Sequence, residues 1–170
     1  FDLAISGRGF FRVLLPDNTE AYTRAGNFAI SANGQIVTED GYEVFPGVDI
    51  PEDAVDVSIS EDGIIQARIA GEQDLRELGQ FELATFFNES GLEAIGDNLL
   101  LETTASGQPV IGNPREPGFG SILQGFVETS NVDPVQEITS LIAAQRAYEM
   151  NARVIETSDE MLATNANLRR

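Results

Sequence analysis

The side chains able to do chemistry in this 170-residue chain are 28 carboxylates, ten arginines, three tyrosines and the serine and threonine hydroxyls; Cys, His, Trp and Lys are all absent. Without thiol or imidazole there is no zinc-thiolate site, no cysteine nucleophile and no Ser-His-Asp triad. Carboxylates alone would still support paired-carboxylate glycoside hydrolysis or an oxygen-ligand calcium site. Neither has a motif here. Asp49, Glu52, Asp53 and Asp56, and the pair Glu61-Asp62, lack the spacing of a calcium loop and read as a solvated face. Gly7-Arg8-Gly9 opens like a phosphate-binding glycine loop, but Arg12 stands where the third glycine is due and Phe10-Phe11 follow where a helix should begin. The segment therefore reads as a glycine-permitted bend that delivers Phe10 and Phe11, with Phe28, to a β core. Ser6 and Ser106 each precede a glycine, yet neither sits in G-x-S-x-G and there is no His to activate it. The sequence assigns no catalytic, cofactor-binding or metal-ligating residue.

The net charge of −18 argues against nucleic acid and anionic membranes as partners, since both are bound through clustered Lys and Arg. No apolar run approaches the roughly 18–20 residues of a membrane span. Nothing reads as a cleavable signal, and the chain opens at Phe1 inside a β-like stretch, so an upstream segment carrying any export signal is expected.

The elements that must position these groups divide near Ser130. All sixteen glycines and six of the seven prolines precede Val127, so only the second segment can be one uninterrupted helix. Residues 1–129 hold 22 acids against 6 Arg, and residues 130–170 hold 6 acids against 4 Arg. The first segment alternates apolar and polar residues between closely spaced turn signals, the pattern of a β-rich body. Asn33-Gly34 separates Phe28–Ile30 from Gln35–Val37, and Asp62-Gly63 separates Val57–Ile59 from Ile64–Ile69. Both predict hairpins with two-residue type I′ turns. Pro16-Asp17-Asn18 and Asp40-Gly41 predict further turns, Phe81–Phe87 a strand, and Ser106–Gly120 an irregular loop. The fold class is thus a mainly antiparallel β body (1–129) followed by one long C-terminal helix (130–170), α+β overall.

The helix has a clear start: Asp133 as cap, Pro134 in the first turn and Gln136 as a capping-box-like partner. It runs to about Leu168, on the order of 50 Å. Ile138, Leu141, Gln145, Tyr148, Ala152, Ile155, Asp159, Leu162 and Ala166 follow a 3-4 spacing and form a coiled-coil-like seam. A helix of this length is too long to lay its whole seam on a body of about 130 residues, so part of it is expected to meet another helix. Gln145 and Asp159 either set register within that seam or lie outside it through a local shift of the stripe.

Several blocks have a family likeness: "GFFRVLLPDNTEAYTRAGNFAISANGQIVTEDGYEV", "LGQFELATFFNESGLEAIGDNLLLETTASGQP", "ILQGFVETSNVDPVQEITSLIAAQRAYEMNARVIETSDEML" and the terminal "NLRR". Together they resemble the bacterial flagellar rod and hook family over nearly the whole chain, "ETSNVDPVQEITSLIAAQRAYEMN" being the most specific. The resemblance implies a non-enzymatic axial subunit without cofactor, exported by the flagellar secretion apparatus to the basal body between periplasm and outer membrane. It implies a hollow shaft in which paired terminal helices surround the export channel, the β body forms the wall, and torque passes from motor to hook. Implied partners are further copies of the chain, the proximal rod and hook proteins, and the P- and L-ring bushing proteins, with no nucleic acid and no membrane insertion. The modest body favours rod over hook, and the AQRAYEMN wording favours the distal over the proximal rod. Arg153 departs from the Lys often found in the family, the "EVFPGVDIP" stretch is more acidic than usual, and the N-terminal helix that pairs with the C-terminal one is missing from this chain. An acidic, hydrated body suits a shaft turning inside bushings, although a saline habitat would select the same composition. From another class, a secreted carbohydrate-binding or adhesive β-domain on a helical stalk fits the same composition.

Overall fold

A computed structural model describes residues 1–71 and 74–167, with side chains in the C-terminal helix described as far as Leu162. The Ala166 side chain and residues 168–170 thus lie outside the described residues. The chain forms two units, Phe1–Glu128 and Thr129–Arg170. The first strands are β1 (Leu3–Ser6), β2 (Phe10–Leu14), β3 (Glu20–Thr23), β4 (Ala29–Ile30), β5 (Ile36–Val37) and β6 (Glu43–Val44). A three-stranded sheet follows, made of β7 (Ala54–Ile59), β8 (Ile64–Ile69) and β9 (Leu75–Gln80). Then come β10 (Leu83–Thr85), β11 (Glu93–Gly96), β12 (Leu99–Leu101), β13 (Val110–Gly112) and β14 (Ser121–Gln124), and finally α1 (Pro134–Asn167). This is the mainly β body with a single long helix expected from the composition shift, at 36% strand and 20% helix.

Every described strand pairing is antiparallel. β2 lies at the centre of the largest sheet, pairing β3, β6 and β10, while β1 pairs β14 from Leu3↔Gln124 to Ser6↔Ser121. Both faces of β2 are covered, which is why its sequence, Phe10-Phe11-Arg12-Val13, does not alternate apolar with polar residues. Phe11 faces the main core with Leu3, Phe28, Phe81, Leu83 and Ile122. Phe10 faces a second cluster with Tyr22, Ala84 and Phe86. The rings meet edge to face, Phe11 on Phe28 at 5.0 Å and Tyr22 on Phe86 at 4.8 Å between centroids.

Burial of Tyr22, reinforced by the charges of Glu20 and Glu102, pushes its hydroxyl from an ordinary 10 up to about 12. The folded state therefore holds this proton more tightly than the unfolded chain does. Its contribution to stability is complete below pH 10 and is lost as pH rises through 12. Alkaline titration followed by tyrosinate absorbance is expected to show one late-ionising tyrosine coinciding with unfolding. Tyr22→Phe is expected to flatten that pH dependence.

The hairpins form where expected, but their turns are not type I′. In the first, Ser31 N–H donates to the Gln35 carbonyl (2.8 Å) and Gly34 N–H to the Ser31 carbonyl (2.9 Å), with Gly34 at φ 86. The same loop recurs at Thr38–Tyr42 and Ser60–Ile64, with Gly41 at φ 88 and Gly63 at φ 79. Only the glycine has positive φ, whereas a type I′ turn needs two such residues. What selects the wider loop is the hydroxyl at its first position: Ser31, Thr38 and Ser60 each accept the N–H four residues on, at 3.2 Å in all three. Leu15–Thr19 repeats the geometry, with Asn18 at φ 63 in place of glycine. There the Asp17 carboxylate accepts the Thr19 N–H, which holds its pKa below the usual range.

These glycines differ in their surroundings. A side chain at Gly41 would meet open space, whereas a Cβ at Gly34 would lie 2.5 Å from the Ile50 carbonyl oxygen. Gly41→Ala is expected to cost about 1 kcal/mol, from the left-handed conformation alone. Gly34→Ala should cost at least about 1 kcal/mol more, because backbone must also move. Urea denaturation of the two variants checks the difference.

Two further expectations need correction. Phe81–Phe87 is not one strand: β9 ends at Gln80, and only Leu83–Thr85 pairs onward as β10. Ser106–Gly120 is not all loop, because Val110–Gly112 forms β13 against β10. Ser106 is buried with its hydroxyl accepting the Thr103 N–H at 2.9 Å, so it is a turn residue.

Candidate assembly surface

The helix begins where its cap residues stand. Asp133 Oδ1 accepts the Val135 N–H at 2.9 Å and the Gln136 N–H at 3.4 Å, and the Asp133 carbonyl accepts the Glu137 N–H at 3.1 Å. The cap is one-sided: the Gln136 side chain makes no bond back to Asp133 among the described residues, so the capping box is incomplete. From Pro134 the helix runs 34 residues.

Along it, Ile138, Leu141, Tyr148, Ile155 and Leu162 are between 57% and 77% exposed. Gln145, Ala152 and Asp159 are exposed on the same line. Burying each large apolar side chain would yield about 1.5–3 kcal/mol. The line is mainly apolar and is interrupted by Gln145 and Asp159.

In the body, charged groups hold backbone in place. Arg24 is the densest node. Its Nε donates to both Glu128 carboxylate oxygens (3.2 and 2.9 Å), Nη1 to the carbonyls of Gly7 (3.1 Å) and Gly9 (3.0 Å), and Nη2 to that of Ile5 (3.0 Å). The Gly7-Arg8-Gly9 bend thus wraps a guanidinium rather than a phosphate. Its glycines adopt φ 114 and 137, and a Cβ would lie 3.0 Å from the Gly120 Cα at Gly7 and 3.2 Å from the Leu83 side chain at Gly9. Arg12, buried on β2, pairs with Glu20 at 2.9 Å and Glu82 at 2.5 Å, and lies 4.3 Å from the Phe45 ring centroid. Arg8 pairs with Glu89 at 3.0 Å. Sequence reasoning missed Arg24 and Glu128 because no local spacing marks a side chain whose partners lie 15 to 104 residues away.

Among the described residues no cluster of acidic side chains is arranged to hold a metal ion. Glu52, Asp53 and Asp56 are exposed, while Glu61 and Asp62 share Arg115 at 3.7 and 3.3 Å. A groove of about 450 Å³ lined by Phe1, Ile30, Ile50, Glu52 and Asp56 brings two of these carboxylates to one open surface. Among the described residues no helix is long and apolar enough to cross a membrane.

Comparison with known proteins gives two family matches. Residues 4–67 match the flagellar hook protein FlgE/F/G D1 domain, and residues 123–168 match the flagellar basal body rod FlgEFG protein C-terminal region. The chain is 56% identical over 168 residues to the flagellar basal-body rod protein FlgG of Caulobacter vibrioides, covering 99% of this chain and 64% of that protein. It is 51% identical over 160 residues to that of Agrobacterium fabrum, covering 94% and 61%. With the flagellar hook protein FlgE of Salmonella typhimurium, identity is 39% over 139 residues, covering 81% of this chain and 32% of the hook protein. The chain thus spans less than two thirds of the length of these rod relatives.

Proposed function

Because the chain belongs to the flagellar hook and basal-body rod protein family, we propose that it is a non-catalytic structural subunit of the distal rod, polymerising into the hollow shaft that carries torque from motor to hook. One observation carries this reading: a 34-residue helix with an exposed apolar seam follows the β body in a chain whose likeness to rod proteins runs its whole length. On this reading residues 1–129 are the wall of the shaft and residues 130–170 its inner layer. Ile138, Leu141, Gln145, Tyr148, Ala152, Ile155 and Leu162 take the N-terminal helix of the complete subunit, and export cargo passes along the channel within. The proximal rod and the hook adjoin the polymer at its two ends, and the P- and L-rings surround it.

Torque transmission asks for stiff subunits and many contacts, not for a reacting group. The body supplies stiffness through Arg12 and Arg24, whose guanidinium groups fix strands and loops distant in sequence. Chemistry is not required, consistent with a chain that holds neither His nor Cys.

Hook–basal bodies purified from cells carrying an epitope-tagged full-length subunit, labelled with antibody and viewed by electron microscopy, test the reading. Label between the proximal rod and the hook is expected, and deletion of the gene should leave basal bodies without a distal rod. Label confined to the hook, or motile cells after deletion, would overturn it.

A further inference from the structure

The body releases the chain at a definite point. β14 ends at Gln124, the Gly125 N–H donates to the Asp2 carbonyl at 2.8 Å, and from there to the start of α1 every residue is exposed. Phe126 and Val127, just ahead of Glu128, are 60% and 53% exposed and so pack little. Within residues 126–133 one polar contact reaches back to the body among the described residues: Arg24 Nε donates to both carboxylate oxygens of Glu128, at 3.2 and 2.9 Å. The other bonds of this stretch are local, from the Val132 N–H to Ser130 Oγ and around the Asp133 cap.

The two halves of that contact are held unequally. Arg24 Nη1 and Nη2 are bonded to the carbonyls of Gly7, Gly9 and Ile5, so the guanidinium is set by the body whether or not a carboxylate meets it. Glu128 has no second anchor among the described residues, and only it can swing away. We propose that Glu128 is a positioning residue: by docking on the preset Arg24 guanidinium it fixes the direction in which the chain leaves the body, and so narrows the space sampled by residues 129–133 before assembly. Ordering them in advance lowers the entropy that assembly has to overcome. The effect on assembly rests on the rod reading above, whereas the effect on the exit does not. With side chains 29% and 43% exposed, an ion pair of this kind favours the docked state by up to about fivefold, and salt screens it. The contact is thus a latch that holds on average and opens readily.

Nitroxides attached through Ser58→Cys, on the three-stranded sheet, and Thr129→Cys, beside the latch, report the exit by electron–electron double resonance on the full-length subunit kept monomeric at low concentration. The distance distribution is expected to be narrow at low ionic strength and to broaden in molar salt. Glu128→Ala should broaden it to the same width at low salt, with no further effect of added salt, while urea unfolding of the body changes little. A width unchanged by Glu128→Ala, or a distribution already broad in the otherwise unsubstituted subunit at low salt, would overturn the positioning role and leave the rod reading standing. In pelleting of polymer, Glu128→Ala should raise the subunit concentration required by up to about fivefold. Broadening without such a rise would overturn the contribution to assembly. Absence of the unsubstituted subunit from basal bodies would overturn the rod reading alone, because the distances are measured on the monomer.

Discussion

Leu141→Asp is expected to abolish incorporation of the subunit into rods while the β body melts as in the unsubstituted chain. In the free chain Leu141 is 59% exposed, so the folded monomer loses little beyond the lower helix propensity of Asp, about 0.5 kcal/mol. Assembly changes the environment. The apolar contribution of the leucine, about 2 kcal/mol, disappears, and a carboxylate must be desolvated without a mate, which costs about 2 kcal/mol or more. The sum of about 4 kcal/mol corresponds to roughly a thousandfold rise in the subunit concentration needed for polymerisation. Pelleting of polymer across a concentration series, beside thermal melting of the same preparations, separates the two effects. Normal polymer would show that the seam is not an interface, and a lowered body melting temperature would show that Leu141 acts within the free chain.

Arg24→Ala is expected to destabilise the body by about 2–3 kcal/mol, the range for losing a charged donor whose side chain is 29% exposed and leaving part-buried acceptors without it. Five hydrogen bonds are lost, and the carbonyls of Ile5, Gly7 and Gly9 are left without the donor around which the bend is built. Arg24→Lys should recover only part of this, because an ammonium cannot match the planar fork that reaches three carbonyls and a carboxylate at once. Glu128→Gln should cost no more than about 1 kcal/mol, since that carboxylate is largely solvated. Urea denaturation of the three variants gives the ordering. Equal effects for Arg24→Ala and Glu128→Gln would mean that the ion pair, and not the grip on the bend, is what matters.

What could be read in the sequence was whatever rests on neighbours along the chain. Asn33-Gly34 and Asp62-Gly63 reveal hairpins because a positive-φ glycine is a local demand, and Asp133-Pro134 reveals a helix start because capping reaches only two or three residues. The turn type does not follow from the Asx-Gly pair, because the Ser or Thr two positions before it carries the hydroxyl that stabilises the longer loop. The strand Val110–Gly112 was hidden within glycines and prolines, since its partner among the described residues, β10, lies some 25 residues earlier. Arg24 was invisible for the same reason: five acceptors on four separate residues converge on it only after β1, β2 and β3 are in place. The exposed apolar line on the helix needed no tertiary information, because helical spacing alone displays it.

The pairing of β1 with β14 has a consequence for how such a body is passed on and enlarged. Leu3 stands opposite Gln124, so the backbone enters and leaves the unit at adjacent points, on a footprint one strand pair wide. Whatever is attached at the two ends therefore feels a short, fixed bar and not the bulk between them. Domains whose ends lie this close tolerate transplantation and insertion. Material added to a loop far from that bar would change the girth of the molecule without altering its attachment. The body is in this sense an exchangeable cassette, whose size can vary without moving its two ends apart.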